Sequence, residues 1–395
     1  MDVLVVFAST LCAGALISQL AHRTVLSTAL LFLAVGVIVG PDVTGLLELP
    51  PGSDAVYWSA EVALFAVLFT DGLRTPAAAL IEGRRSLYRT LGVAMPLTIA
   101  LLVLLGVVLI GLPFPQALLL AGILAPTDPV LAEAIVGRAG VPDRLASTLN
   151  LESSLNDGIA LPLVAVVLGT LGSTGATLAV AAAEVAGGVV VGFVLTWLVL
   201  QLERSPLLGT TEDYEAVLVV AIALLVFGVC SLTHANLFLA AFTSGITVVS
   251  IRPEIARRFS ETGSVLVEVV KLAALLLTGM LLATGVLSRE DMAAWLFALA
   301  AIVIVRPVAV AVAMIGSRLD AAERTVLAWF GPRGFASVTY ALLVARSHVP
   351  FGDKVFMVAA ATIAASMLVH SSTDVLAARW LTPSGDASDR SSTAT

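Results

Sequence analysis

Long apolar runs, separated by short polar segments, follow one another along almost the whole chain. A helix needs only about 20 mostly apolar residues to cross a bilayer, so each run is a candidate transmembrane span. The pattern predicts an all-α membrane protein with about thirteen transmembrane helices. The predicted spans are Val3–Leu20, Val25–Gly40, Val56–Leu73, Tyr88–Ile110, Gln116–Val136, Leu145–Leu171, Ala176–Leu202, Ala216–Leu232, Ala235–Ile251, Gly263–Val286, Met292–Ile315, Thr325–Val344 and Val355–Leu376.

The positive charges fall mainly on one side of this predicted arrangement. Most of the 21 lysines and arginines lie in one alternate set of connecting loops and in the C-terminal segment. By the positive-inside rule, the N-terminus is then outside and the C-terminus is in the cytoplasm. The first run lacks a basic start and is interpreted as an uncleaved span. We expect residues 1–380 to form the transmembrane domain and residues 381–395 a short disordered cytoplasmic tail.

Composition narrows the class further. The chain is 59% hydrophobic and 12% charged, with a mean hydropathy of +1.03, whereas soluble domains are about 25% charged. Cys12 and Cys230 lie in apolar runs without a CxxC spacing, so neither a disulfide nor a metal site is indicated. No P-loop or GxGxxG motif is present. We expect the protein to bind no nucleotide, nucleic acid or cofactor and to have no enzymatic activity. We expect it to be a transporter or channel that uses an ion gradient in a cell membrane.

The most informative polar stretch opens the sixth predicted span. Glu152, Ser153, Asn156 and Asp157 share one face of a helix with about 100° per residue. A carboxylate inside a bilayer is costly, and such residues usually mark ion or proton paths. The alternative is a buried structural carboxylate paired with an arginine. That alternative is favoured for Glu152, and the functional interpretation is favoured for Asp157.

Two further spans are interrupted by proline and glycine. The fifth contains Pro126, Thr127, Asp128 and Pro129, and the twelfth contains Gly331, Pro332, Arg333 and Gly334. Proline removes a backbone donor and clashes with the preceding turn, so both helices should break there. If the seventh span is a linker, each broken helix is the fifth of a six-helix half. Matched broken helices of this kind indicate an inverted-repeat transporter with its binding site near the midplane.

The remaining intramembrane charges need partners. Arg306 lies in the middle of the eleventh span, and we expect it to pair with Glu152 rather than with Asp157, with Arg333 as the next candidate partner for Glu152. Asp71 ends the third span and is equally consistent with an ion ligand and a helix cap. Glu268 and Lys271 are three residues apart in the tenth span, and their charges can neutralise each other.

These motifs, in this order, resemble the sodium/proton exchangers of the electroneutral branch of the monovalent cation:proton antiporter superfamily. The resemblance implies thirteen helices, a homodimer, and crossed, broken helices in a core that moves like an elevator. It also implies that Asp157 binds both the cation and the proton, with Ser153 and the Thr127 backbone as oxygen ligands. Glu152 and Arg306 would be the structural pair, and Asp71 matches a position that is often glutamate. The long cytosolic tail of animal members is not expected.

One shared carboxylate predicts the mechanism. A bound cation favours the ionised form of Asp157 and a proton neutralises it, so the two compete. Hard cations prefer several oxygen ligands, which Asp157, Ser153, Thr127 and freed carbonyls can supply. Asn156 is a neutral amide where the electrogenic branch has a second aspartate, and this favours one proton per cation. Na⁺ is the first expectation, with Li⁺ or K⁺ as alternatives and Asp128 as a further candidate ligand.

Three other functions remain as alternatives. A K⁺/H⁺ antiporter would use the same site, because a motif does not encode the number of oxygens and the cavity flexibility that decide selectivity. A cation channel could share the acidic residues, but it would not need matched broken helices. An intramembrane protease is disfavoured, because the GxGD signature is absent and Phe242-Thr243-Ser244-Gly245 departs from GxSG.

Overall fold

The computed structural model describes residues 3–21, 28–41, 43–47, 54–128, 141–172, 178–205, 208–286, 292–347 and 349–381. All the regular elements among these residues are helices. We number them α1 Val3–Ala21, α2 Thr28–Val39, α3 Asp54–Arg74, α4 Ala77–Glu82, α5 Arg84–Val108, α6 Phe114–Leu124, α7 Asp143–Leu171, α8 Leu178–Glu203, α9 Glu215–Thr233, α10 Leu237–Ile251, α11 Pro253–Thr262, α12 Ser264–Val286, α13 Met292–Ala313, α14 Ala321–Trp329, α15 Phe335–Arg346 and α16 Gly352–Leu381.

The predicted all-α membrane fold is confirmed. Each predicted span coincides with a helix or with a broken helix in the described part of the chain. Six helices are long and apolar enough to cross a membrane alone, or seven if one bent pair is a single span, among the described residues. The number thirteen therefore stays a prediction. Pro129 and the rest of the fifth span, to Val136, lie outside the described residues, as does the tail from residue 382.

The bent pair consists of α10 and α11, which meet at an angle of 116°. Pro253 occupies the first turn of α11, where its missing N–H costs nothing. Ile255 and Phe259 are buried on one side of this helix, and Arg258 forms ion pairs with Glu212 and Glu215. The apolar-run pattern does not predict α11, because its charged residues interrupt the apolar positions within a single short helix.

Two helix crossings bring backbones into direct contact through glycine pairs. Gly36 of α2 faces Gly279 of α12, and Gly72 of α3 faces Gly245 of α10. A Cβ at any of the four positions would overlap a main-chain carbonyl oxygen of the facing helix. Small residues allow this close approach in membrane bundles. The two crossings are equivalent when the halves are exchanged, because α2 corresponds to α10 and α3 to α12.

A second feature also recurs in both halves. A π-helical turn interrupts α5 at Thr90–Ala94 and α13 at Ala301–Val305. Each turn is followed directly by a residue and a proline, Met95-Pro96 and Arg306-Pro307. Proline cannot donate the next helical hydrogen bond, which accounts for the local widening. The repeated interruptions agree with the predicted pair of related six-helix halves, with α8 between them.

Candidate functional site

The breaks in the two interrupted helices lie against each other. Helix α6 ends at Leu124 and continues as non-helical backbone to Asp128, and non-helical residues 330–334 separate α14 from α15. The Asp128 N–H donates to the Pro332 carbonyl oxygen at 2.8 Å, and the Phe335 N–H donates to Asp128 Oδ2 at 2.7 Å. A carboxylate thus accepts from the first turn of α15, where the helix dipole favours negative charge. The end of α6 and the break between α14 and α15 are therefore hydrogen-bonded to each other.

The glycines of the second break are required by close approach. A Cβ at Gly334 would overlap the Asp128 carboxylate, and a Cβ at Gly331 would overlap the Arg306 guanidinium. Any side chain at these two positions would therefore push away a buried charged group. The segment Gly331–Gly334 therefore ends a helix and also leaves space for the side chains of Asp128 and Arg306.

Glu152 and Arg306 lie in direct contact. Arg306 Nη1 donates to Glu152 Oε1 at 2.8 Å, and the two side chains are only 5% and 6% exposed. Arg306 Nη2 donates to the Phe330 carbonyl oxygen at 2.9 Å. The pair therefore joins α7, α13 and the end of α14. Losing one member would leave an uncompensated buried charge.

Arg333 has different partners. Its side chain donates to the carbonyl oxygens of Leu124 at 3.1 Å, Gly331 at 3.3 Å and Ala301 at 3.3 Å. These acceptors lie at the end of α6, in the second break and in the π turn of α13. Among the described contacts, Glu152 is paired with Arg306, and Arg333 holds backbone segments together.

Asp157 lies beside the crossing, on the middle of α7. It is 2% exposed, and its Oδ1 has no hydrogen-bond partner among the described residues. It lines a small cavity together with Thr127, Asp128, Lys271 and Phe335. A buried carboxylate with an unused oxygen that faces a cavity is a reasonable ligand for a cation or a proton.

Asn156 and Ser153 reach the same site through Thr127. Asn156 Nδ2 donates to Thr127 Oγ1 at 2.6 Å, and the hydroxyl oxygens of Thr127 and Ser153 are 3.5 Å apart. Asn156 Oδ1 has no hydrogen-bond partner in the described structure. The Asn156 amide nitrogen therefore orients the Thr127 side chain of the first break. The Asn156 amide oxygen is left for another partner. This arrangement brings together all the site residues that the sequence predicts on α7.

The two other candidate aspartates lie close enough to Asp157 to interact with it electrostatically. Asp71 is 5% exposed near the end of α3, and its carbonyl oxygen accepts a hydrogen bond from the Thr75 hydroxyl. Asp128 lines the cavity and also caps α15. The structure thus concentrates carboxylates around the crossing, and Pro126 and Gly334 complete part of the cavity wall.

Several residues of this region were not predicted as site residues, and Lys271 was expected only to be neutralised by Glu268, with which it does form an ion pair. Lys271 lines the cavity, and the Tyr340 hydroxyl donates to the carbonyl oxygen of Asp157 at 3.3 Å. On α16, Ser366 Oγ accepts the Arg333 N–H at 2.9 Å, and His370 Nε2 lies 3.0 Å from the Trp329 carbonyl oxygen. A buried lysine in a span was the only signal available in the sequence, since single serine, tyrosine and histidine residues are common in apolar helices.

The fold and site define a class of membrane protein built around interrupted helices whose breaks are hydrogen-bonded to each other beside a buried carboxylate. The family described as sodium/hydrogen exchanger, transmembrane, matches residues 7–379, and the chain belongs to that family. Its fold is that of the superfamily of monovalent cation:proton antiporters.

Similar proteins agree with this assignment. The chain is 27% identical over 368 residues to the K(+)/H(+) antiporter NhaP of Alkalimonas amylolytica, covering 89% of this chain and 62% of the relative. It is 24% identical to the K(+)/H(+) antiporter NhaP2 of Shewanella oneidensis, covering 92% and 64%. The chain therefore spans just under two thirds of these relatives' length. The solved structure of the sodium proton antiporter MjNhaP1 from Methanocaldococcus jannaschii at pH 8 matches with a TM-score of 0.77 and 17% identity, covering 96% of this chain and 97% of that one.

Proposed function

We propose that this protein exchanges a monovalent cation for a proton across the cell membrane, with Asp157 as the group that binds both. The observation that carries the proposal is the buried Asp157 carboxylate, whose Oδ1 is unpartnered in the described structure and which lines the cavity at the helix crossing. The cation needs the ionised carboxylate and the proton neutralises it, so occupancy by one excludes the other. Exchange follows if only the occupied site crosses the membrane.

The other ligands of the cation come from the first break and α7. Thr127, Ser153 and Asn156 supply oxygens around Asp157, and Asp128 lines the same cavity. A hard monovalent cation prefers several such oxygens in place of its water shell. Asp71 adds negative charge nearby. Na⁺ is the first candidate and Li⁺ a second. K⁺ deserves equal testing, because both curated relatives above are named K(+)/H(+) antiporters.

The proposed stoichiometry is one proton for one cation. Asn156 is a neutral amide that already donates to Thr127, so it contributes no second titrating group beside Asp157. An electroneutral cycle moves no net charge, and the membrane potential then does no work on it. By contrast, one net charge moved through 100 mV corresponds to about 2.3 kcal/mol.

The transport movement that we propose is an elevator motion of the core that contains the crossed helices. The hydrogen bonds between the two breaks, and the ion pair of Glu152 with Arg306, support a core that moves as one body. A homodimer, an external N-terminus and a cytoplasmic C-terminus belong to the same proposal. The concentration of arginines in one set of loops supports this orientation.

Ion-driven proton movement in vesicles tests the proposed function. The full chain is expressed in everted vesicles that contain a pH-sensitive dye, and NaCl, LiCl, KCl or choline chloride is added after acidification. We expect dequenching with at least one alkali cation and none with choline. The same rate for all four salts, or for Asp157→Asn and the wild type, would contradict cation:proton exchange at this site.

A voltage clamp tests the stoichiometry. Proteoliposomes with valinomycin are set at zero or at about −100 mV by the potassium gradient, with Na⁺ as the tested cation and the same potassium gradients without Na⁺ as the control. An electroneutral exchanger reaches the same end-point at both voltages. A clear shift of the end-point would mean that a second titrating group crosses with the core, and Asp128 and Asp71 would be examined next.

A further inference from the structure

We propose that Lys271 is a tethered cation that competes with the transported cation for the Asp157 carboxylate and so sets the apparent cation affinity. The inference rests on the proposed function, because it concerns the same site. It assigns a role to a residue whose charge, judged from spacing alone, would simply be neutralised by its neighbour Glu268.

The position of Lys271 is the first observation. It lies on α12, it is 7% exposed, and it lines the cavity that Thr127, Asp128 and Asp157 also line. A lysine side chain carries a compact charge on a flexible four-carbon stem. An ammonium group in the same cavity as a cation-binding carboxylate repels a second cation and attracts the carboxylate.

The partner of Lys271 is the second observation. Lys271 Nζ forms an ion pair with Glu268, one helical turn earlier on α12. The Glu268 side chain is 47% exposed, whereas Asp157 is 2% exposed. The ammonium group is thus paired with a partly exposed carboxylate, and Lys271 lines a cavity that a deeply buried carboxylate also lines. Their relative attraction decides where the ammonium rests.

The charge on Asp157 supplies the switch between these two positions. When a cation or a proton occupies Asp157, its attraction for Lys271 is lost and the pair with Glu268 is favoured. When Asp157 is ionised and unoccupied, the ammonium can compensate the buried charge, which would otherwise be costly. Each entering cation must then displace Lys271, so the apparent affinity falls by the fraction of sites that the lysine holds.

The chain offers a matched control for this lysine. Lys354 is the other lysine of the sequence. Its Nζ donates to the Ile110 carbonyl oxygen at 2.7 Å, beyond the end of α5, and it is not among the residues that line the cavity. Replacing Lys354 removes the same charge and the same side-chain type without removing a competitor for Asp157.

Opposite changes at Lys271 and Glu268 test the proposal. Wild type, Lys271→Met, Glu268→Gln and Lys354→Met are purified as full chains. Cation binding is measured from the rise in melting temperature with NaCl or KCl at constant ionic strength set by choline chloride, and KM is measured in proteoliposomes. We expect Lys271→Met to bind the cation about fivefold more tightly, with a lower KM. Glu268→Gln should bind it more weakly, because it removes the competing partner of the ammonium. Lys354→Met should match the wild type.

The outcomes separate this inference from the proposed function. Tighter cation binding in Lys271→Met together with weaker binding in Glu268→Gln supports the competition, and any other combination of shifts, or no shift, overturns it. If Lys271→Met fails to fold, an unchanged or tighter affinity in Glu268→Gln overturns it, and a weaker one supports it. If the two variants show these affinity shifts but the wild type moves no protons, the proposed exchange function is wrong. The proposed competition at Asp157 is then still supported.

Discussion

The two helix breaks share a geometry but differ in chemistry. At the first break, Thr127 bonds to Asn156 on the following span, α7; at the second, Arg333 bonds to Ser366 on the following span, α16. The first is surrounded by carboxylates and contributes to a cavity. The second contains a guanidinium that is held by main-chain carbonyls.

We infer from this difference that the two breaks have different roles. Prolines and glycines interrupt a helix in both halves, and the two breaks lie against each other. The side chains around the two breaks then differ. We infer that the first break with α7 forms the ion site, and that the second break with α16 holds the crossing in place. Variants at equivalent positions should therefore affect transport in one half and stability in the other.

The largest expected effect is at the first break. Asp157→Asn keeps the size of the side chain and removes the charge, so it should abolish exchange while the protein remains folded. Exchange is measured by dye dequenching, and folding by melting temperature and gel filtration. Asp353→Asn, at an exposed position near the start of α16, is the matched control and should exchange normally. Wild-type rates in Asp157→Asn would remove this residue from the mechanism.

The next effect concerns the ion pair that connects α7 to the second break. Glu152→Gln leaves Arg306 buried without its carboxylate, and we expect a loss of about 3–5 kcal/mol in stability. Adding Arg306→Met should recover much of the melting temperature, because it removes the stranded charge. A double variant less stable than both single variants would show that Glu152 and Arg306 do not act as a pair.

A smaller effect is expected from crowding the crossing itself. Gly334→Ala places a methyl group against the Asp128 carboxylate, which should destabilise the protein by about 1–3 kcal/mol. Gly228→Ala is the matched control, because its Cβ would meet open space on α9. That variant should be as stable as the wild type or slightly more stable. Equal melting temperatures for the two variants would contradict the tight crossing.

The smallest expected effect is at the second break and concerns the hydrogen bond between Ser366 and Arg333. Ser366→Ala removes the acceptor of the Arg333 N–H and should cost about 1 kcal/mol in stability. Because Ser366 lies in the half that we assign to support, the KM for the cation should stay unchanged. Melting temperature and KM are measured on the same preparation. A raised KM with unchanged stability would place Ser366 in the ion site instead.

Much of the fold was predictable, because a bilayer permits few structures. Backbone groups in lipid must bond within a helix, so apolar runs such as Leu145–Leu171 predict spans closely. Proline placed both breaks correctly, at Pro126 and Pro332. The amphipathic helix α11 was missed, because charged residues break up a short apolar face.

The residues that meet at the candidate site were predictable only in part, for a physical reason. A buried carboxylate in a span is costly enough to stand out, so Asp157 and Glu152 were identifiable from the sequence. Which groups meet across helices depends on packing that spacing does not encode. The position of Lys271 in the cavity, the Ser366 contact with Arg333 and the capping of α15 by Asp128 therefore emerged only from the three-dimensional arrangement.

The central claim is that cation and proton use one carboxylate, and the pH dependence of the cation KM tests it most directly. Exchange by wild-type proteoliposomes is measured at several cation concentrations between about pH 6 and about pH 8.5, with internal and external pH known. Because linkage is reciprocal, proton binding must weaken cation binding at a shared site. We predict that KM rises as pH falls, approaching about tenfold per pH unit at the acidic end, while the maximal rate at saturating cation changes less. A KM that stays constant across this range would contradict competition at Asp157.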